Sequence, residues 1–240
     1  MNIVVSKNAD ELASRAAIEF VRLAKEAIRE RDSFTVALSG GSTPLLMYKH
    51  LLDAAIPWER VSFYFGDERN VSPDEDASNF KGANTSLFRP LRIREDHIYR
   101  WKTELKTPDA VAEDYAQTLH KLSPDHPRFD LILLGMGSDG HTASLFPGTD
   151  ALNEKQRSAV ANWVPQLGSW RFTLTYPVIN NARNAMFLVA GEDKASTVKE
   201  VIEGEARPTE LPSQGIQPAK GTLAWFVDRG AASHLTDANI

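Results

Sequence analysis

Between Phe129 and Pro147 the chain reads FDLILLGMGSDGHTASLFP, and this stretch decides the fold. Leu131 to Leu134 form a continuous apolar run that ends abruptly in glycine, as in a strand buried on both faces. Similar runs recur along the chain as FTVAL (34–38), VSFYF (61–65), AMFLVA (185–190) and LAWFV (223–227). Helical patterns separate them. Apolar residues from Leu12 to Ile28 follow helical spacing, with Asn8 or Asp10 as the cap, and further helices are expected over Pro44–Asp53, Pro108–Leu122 and Lys194–Glu203. Buried strands alternating with helices predict an α/β protein with a mostly parallel, Rossmann-like sheet between two helical layers. The Pro- and Gly-rich segment from Arg207 to Gly221 reads as a surface loop, so residues 1–240 are expected to form a single domain.

At 240 residues and 42% hydrophobic content the chain can fill a sizeable core, which excludes a disordered or fibrous protein. A net charge of −5 gives no electrostatic reason to expect a nucleic-acid partner. With no cysteine there are no disulfides, thiolate nucleophiles or Cys-ligated metals. The apolar stretch before Lys7 and Asp10 is too short for a signal peptide or membrane anchor, so a cytoplasmic protein is expected.

In an open α/β sheet, ligands collect beyond the carboxyl ends of the strands. Three post-strand loops therefore carry the functional argument. The first is LSGGSTP (38–44). Gly40 and Gly41 permit close backbone approach, Ser42 and Thr43 offer hydroxyls and a helix cap, and Pro44 suits a first turn. The loop reads either as an anion site at a helix N-terminus or as a well-capped turn, and without a Walker lysine it does not suit nucleotide hydrolysis. The second is GDER (66–69), where Asp67 can accept from sugar hydroxyls and Arg69 can pair with a phosphate, against the commoner fate of a surface ion pair. The acidic run Asp74, Glu75 and Asp76 reads as a solvated loop capping a helix that starts at Asn79.

The third loop is the opening stretch. Gly135, Gly137 and Gly140 fit the dinucleotide pattern G-x-G-x-x-G, which requires an acid about 20 residues further on to hold a ribose. Around Val160 the chain has AVANWVPQ and no acid, while Asp139 would place negative charge among the amides meant for pyrophosphate. A serine-hydrolase elbow would need glycine where Met136 stands. His141 remains, either as a proton-transfer group or as a loop-structuring residue. Asp139 and His141 alone do not complete a metal site. His120 and His126 flank a Ser-Pro turn, His50 falls in a helix, His97 follows Asp96 and His234 is near the end, and all are read as structural or exposed.

Taken together, SGGSTP, FYFGDERNV with SNF, LLGMGSDGHTASLFPGT, WRFTLTYPVIN, GEDKA and PAKGTLAWFVD resemble the 6-phosphogluconolactonase family, in that order and across nearly the whole chain. The resemblance implies an α/β sandwich related to glucosamine-6-phosphate deaminase, with neither metal nor organic cofactor. It implies hydrolysis of 6-phospho-D-glucono-1,5-lactone to 6-phosphogluconate in the oxidative pentose phosphate pathway, by a monomer or small homo-oligomer. The related deaminases carry a Glu five residues after the histidine, where this chain has Phe146. On this reading His141 is the base, Asp139 orients it or holds the loop, and amides near Gly137 meet the oxyanion. Gly40, Gly41, Ser42, Thr43, Asp67, Arg69, Arg171 and Lys194 then bind the sugar phosphate.

Overall fold

The computed structural model describes residues 1–123 and 127–236. Its elements run β1 (Asn2–Ser6), α1 (Ala9–Arg31), β2 (Phe34–Leu38), α2 (Ser42–His50), β3 (Val61–Phe65), β4 (Asp67–Arg69), α3 (Asn79–Ala83), a π-helical turn at Asn84–Phe88 and α4 (Arg89–Leu91). The second half continues with α5 (Pro108–Leu122), β5 (Leu131–Leu134), β6 (Ala159–Val164), β7 (Ser169–Leu174), α6 (Tyr176–Ile179), β8 (Asn184–Val189), α7 (Ala195–Glu203), β9 (Thr222–Asp228) and α8 (Arg229–Ala232).

Six strands form the main sheet in the order β1-β9-β8-β5-β2-β3, and every pairing is parallel. The apolar runs fall where the sequence places them. All four residues of β5 are buried, and each leucine or isoleucine moved out of water contributes about 1.5–3 kcal/mol. The edge strand β1 was not anticipated, because its residues only argued against an anchor. Helices flank this sheet, with α1 packed on α2 and against β2, β8 and β9. Asn8 is the α1 cap, accepting from the Glu11 amide at 2.9 Å. Among the described residues no helix is long and apolar enough to cross a membrane.

A second, three-stranded antiparallel sheet, β4-β7-β6, departs from the expected pattern. Residues not read as strands supply it: the DER of the GDER loop becomes β4, and AVANWV, noted only for its lack of an acid, becomes β6. It grows directly from the carboxyl edge of the main sheet. Gly66 donates to the Leu38 carbonyl at 2.9 Å and accepts from the Leu174 amide at 2.9 Å, joining β2, β3 and β7 at one point.

At the opposite, amino edge, the buried Asp130 holds β2 and β5 together. It accepts from the Thr35 amide (2.8 Å) and hydroxyl (3.0 Å) and from Arg31 at 3.1 Å, with Arg183 at 3.4 Å. Asp130→Ala leaves these donors without an acceptor and is expected to cost about 2–3 kcal/mol, given that bonds to charged groups contribute roughly 1.5–3 kcal/mol and the arginines stay partly solvated. Urea denaturation measures this, and a loss below about 0.5 kcal/mol would show that Asp130 is not a brace.

Candidate active site

The loops after β2 and β5 leave adjacent strands in opposite directions, since β2 leads to β3 on one side and β5 to β8 on the other. Such a divergence opens a crevice at the carboxyl edge of the sheet. A cleft of about 740 Å³ occupies this place. It gathers every residue singled out from the sequence: Gly40, Gly41, Ser42 and Thr43 on the first loop, Asp67, Arg69 and Arg171 on the small sheet, Gly137, Asp139 and His141 on the third loop, and Lys194 before α7.

The first loop is riveted by Tyr48, whose buried hydroxyl donates to the Ser39 carbonyl at 2.6 Å and accepts from its amide at 3.2 Å. Burial pushes the Tyr48 pKa up, so it stays a neutral donor. Gly40 is required sterically, because a Cβ there would lie 1.8 Å from Asn79 Oδ1. Contrary to expectation, neither Ser42 nor Thr43 caps α2. Its cap is Gly41 at φ 95°, without a side-chain hydrogen bond, so among the described residues neither hydroxyl is taken up by the helix start and both line the cleft.

GDER is not a surface ion pair. Glu68 is buried and accepts from the amides of Arg69 (2.8 Å), Asn79 (2.8 Å) and Phe80 (2.9 Å) and from the Ser78 hydroxyl (3.1 Å). Burial pushes its pKa up, while the amides of Asn79, Phe80 and Arg69 pull the other way. Ser78, rather than the acidic run before it, caps α3 by accepting from the Lys81 amide. Asp67 is also buried, receiving Asn79 Nδ2 on one oxygen at 3.1 Å and Ser144 Oγ on the other at 2.8 Å. It braces the cleft wall first and offers only spare lone pairs to a ligand.

Arg69 and Arg171 sit directly opposite one another in the β4–β7 register. Arg69 donates to the Ala77 carbonyl (2.6 Å), and Arg171 to Ser169 Oγ (2.9 Å) and the Trp170 carbonyl (3.0 Å). Among the described residues no carboxylate forms an ion pair with either guanidinium. Burial, and after it the charge of Arg69, pushes the Arg171 pKa down. Like charges placed opposite on paired strands destabilise a sheet, and an anion between them removes that cost. Lys194 lines the same cleft with its Nζ 3.1 Å from Asp193 Oδ2.

On the third loop, His141 Nδ1 lies 2.5 Å from Asp139 Oδ1, which also accepts the His141 amide at 3.1 Å. Asp139 therefore both orients the ring and holds the loop. Burial works to raise its carboxyl pKa, but the hydrogen bonds and charge of His141 outweigh it and hold it below the ordinary value. Of the amides near Gly137 expected to meet an oxyanion, the Gly137 N–H itself is engaged, donating to the His141 carbonyl at 2.9 Å. Gly137 matters because a Cβ there would lie 2.2 Å from His141 Nδ1 and 2.5 Å from Asp139 Oδ1. Ala143 takes a left-handed φ of 47°, and Thr142 Oγ1 donates to the Gly135 carbonyl at 2.8 Å, closing the turn.

The family described as glucosamine-6-phosphate isomerases/6-phosphogluconolactonase matches residues 7–225. A 6-phosphogluconolactonase from Synechocystis sp. is 40% identical over 233 residues, covering 95% of each chain. The structure of 6-phosphogluconolactonase from Trypanosoma brucei superposes with a TM-score of 0.87 at 28% identity, over 98% of both chains. This chain belongs to the glucosamine-6-phosphate isomerase/6-phosphogluconolactonase family. A monomeric glucosamine-6-phosphate deaminase, at 20% identity and TM-score 0.82 over 98% of this chain and 100% of that one, shares the fold.

Among the described residues no group of three or more His, Asp or Glu side chains converges to hold a metal ion. Among the described residues the other histidines lie outside the cleft: His50 bonds Asp10 at 3.0 Å, His97 bonds the Val61 carbonyl at 3.0 Å, His120 falls in the last turn of α5 and His234 follows α8, while His126 lies outside the described residues. Sequence reasoning missed Glu68, Ser144 and Asn162 as supports of this family's cleft. Their polar letters sit in runs that gave no sign of burial.

The depressed Asp139 pKa fixes a sign. Stability from the Asp139–His141 contact is fully present above the unfolded carboxyl value near about 3.9 and is lost as pH falls through the lower folded value. Asp139→Asn should therefore melt below the wild type at pH 6, with the gap closing as pH drops beneath the ordinary carboxylate range. A gap constant with pH, read by thermal melts, would contradict this assignment.

Proposed function

We propose that the protein is a 6-phosphogluconolactonase, hydrolysing 6-phospho-D-glucono-1,5-lactone to 6-phosphogluconate in the pentose phosphate pathway. The observation that carries the reading is one cleft with an Asp-oriented histidine at one side and two unneutralised arginines at the other. Relatives in the same family bear the 6-phosphogluconolactonase name over nearly this whole length. The working form is a single-domain cytoplasmic monomer or small homo-oligomer, needing neither metal nor organic cofactor.

The Asp139 carboxylate accepts a hydrogen bond from His141 Nδ1–H, which leaves the lone pair on Nε2 for the substrate. That nitrogen takes a proton from water as the water oxygen bonds to C1 of the lactone. The C1–O5 bond then breaks, and the imidazolium returns the proton to O5, giving the open-chain acid, which ionises in solution. Charge on the carbonyl oxygen needs a donor. Among the amides near Gly137, the Ser138 amide takes this role, since it has no intramolecular acceptor among the described residues and its residue lines the same cleft. Arg69 and Arg171 grip the 6-phosphate together, with Ser42, Thr43 and Lys194 beside them.

His141→Ala is expected to lower kcat by about 10²–10⁴, the usual contribution of a proton-transfer group, on fresh lactone with spontaneous hydrolysis subtracted. Near-normal kcat would remove the base from this scheme. Arg171→Ala should raise KM for the phosphorylated lactone about 10- to 100-fold, since a charge-assisted bond contributes roughly 1.5–3 kcal/mol. An equal loss on an unphosphorylated lactone would show that Arg171 is not a phosphate ligand.

A further inference from the structure

We propose that Phe146 is a positioning residue that sets the plane of the His141 imidazole, an inference that rests on the base role given to His141 above. The Phe146 ring is 7% exposed and lines the cleft. It stacks on the imidazole with centroids 4.0 Å apart and planes inclined by 21°. Asp139 holds the imidazole through a single ring atom, Nδ1, at 2.5 Å. One hydrogen bond pins a point but leaves a ring free to pivot about the line of that bond, carrying Nε2 through an arc. A flat aromatic face against the ring removes this freedom at little entropic cost, because Phe has only two side-chain torsions. Gly137 closes the Nδ1–Cε1 side, where no Cβ could fit.

Phe146 is itself held from the small sheet. Its carbonyl accepts from Thr149 Oγ1 at 2.8 Å, and that hydroxyl accepts Asn162 Nδ2 at 2.9 Å. Asn162, 2% exposed on β6, also donates to the Ser144 carbonyl at 2.9 Å, so one buried amide fixes the backbone on both sides of Leu145 and Phe146. The far end of the loop that carries Asp139 and His141 is thus tied, at Phe146, to the small sheet.

The test is steady-state kinetics on Phe146→Leu and Phe146→Met, which fill space without a flat face, beside Phe146→Tyr, which keeps the face. Misplacing a reacting group by about 1 Å can cost about 10² in rate, so the Leu and Met variants should lose about 10- to 100-fold in kcat. KM should stay within about two-fold, because Phe146 does not hold the phosphate, and the Tyr variant should keep kcat within about three-fold. In the wild type the His141 ring protons should resonate upfield through the Phe146 ring current. Unshifted His141 protons, a folded Leu or Met variant with near-normal kcat, a Tyr variant as poor as Leu, or a KM rising in step with the lost kcat would each overturn the proposal. His141→Ala separates the two readings. Near-normal kcat there removes the base itself, whereas a strong loss there with an active Leu variant removes only the positioning.

Discussion

The buried carboxylate of Asp67 is the constraint on which the cleft depends. One oxygen receives Asn79 Nδ2 and the other Ser144 Oγ, while the Asp67 backbone pairs with Thr173 and its carbonyl accepts Asn79 Nδ2 at 2.9 Å. A buried polar group must find hydrogen-bond partners to be tolerated, so the partners are held as firmly as the carboxyl itself. Those partners belong to different loops. Asn79 fills the space beside Gly40 on the first loop, and Ser144 belongs to the turn that follows His141. Satisfying one carboxylate therefore fixes the anion-facing loop, the arginine-bearing strand and the histidine loop relative to one another.

The two sheets divide the work. The main sheet is a set of buried parallel strands whose carboxyl ends supply rigid anchor points, with Asp130 tying β2 to β5 at the far edge. The small sheet rises from those ends through Gly66 and presents its inward side chains to the cleft. Residues on paired strands hold their geometry better than residues on free loops, which is why the arginines sit on β4 and β7 rather than beyond them.

This division explains what the sequence could and could not disclose. LILL, FTVAL and VSFYF are legible because a strand covered on both faces has few water-facing positions, so its letters are apolar apart from the partly buried Thr35 and Ser62. DER gives no such signal. A strand of three charged residues looks like a surface loop, and it becomes a strand only because WRFTL lies alongside it. Burial of Glu68 is equally invisible, since its partners are backbone amides that any sequence supplies. The glycines of GMGSDGH were legible as places of close approach but not as to what approaches. At Gly137 it is the imidazole and carboxylate of the same loop, and the amide is already spent on the His141 carbonyl.

The charge balance of GDER follows from those same amides. Two acids precede Arg69 in sequence, and in an exposed loop one of them would neutralise it. Here both carboxylates are taken up by neutral donors: Glu68 by backbone N–H groups around the start of α3, and Asp67 by an amide and a hydroxyl. Arg69 forms no ion pair with a carboxylate among the described residues and faces Arg171, whose own pKa is depressed by burial and by that neighbour. Such an arrangement costs folding free energy in the empty protein, a cost the well-packed parallel sheet can carry. In the proposed reaction, the phosphate of the substrate supplies between the guanidiniums the charge that the acids beside Arg69 do not. Under that proposal the repulsion between the paired guanidiniums becomes part of the preference for a phosphorylated ligand over a neutral one, because an anion relieves it.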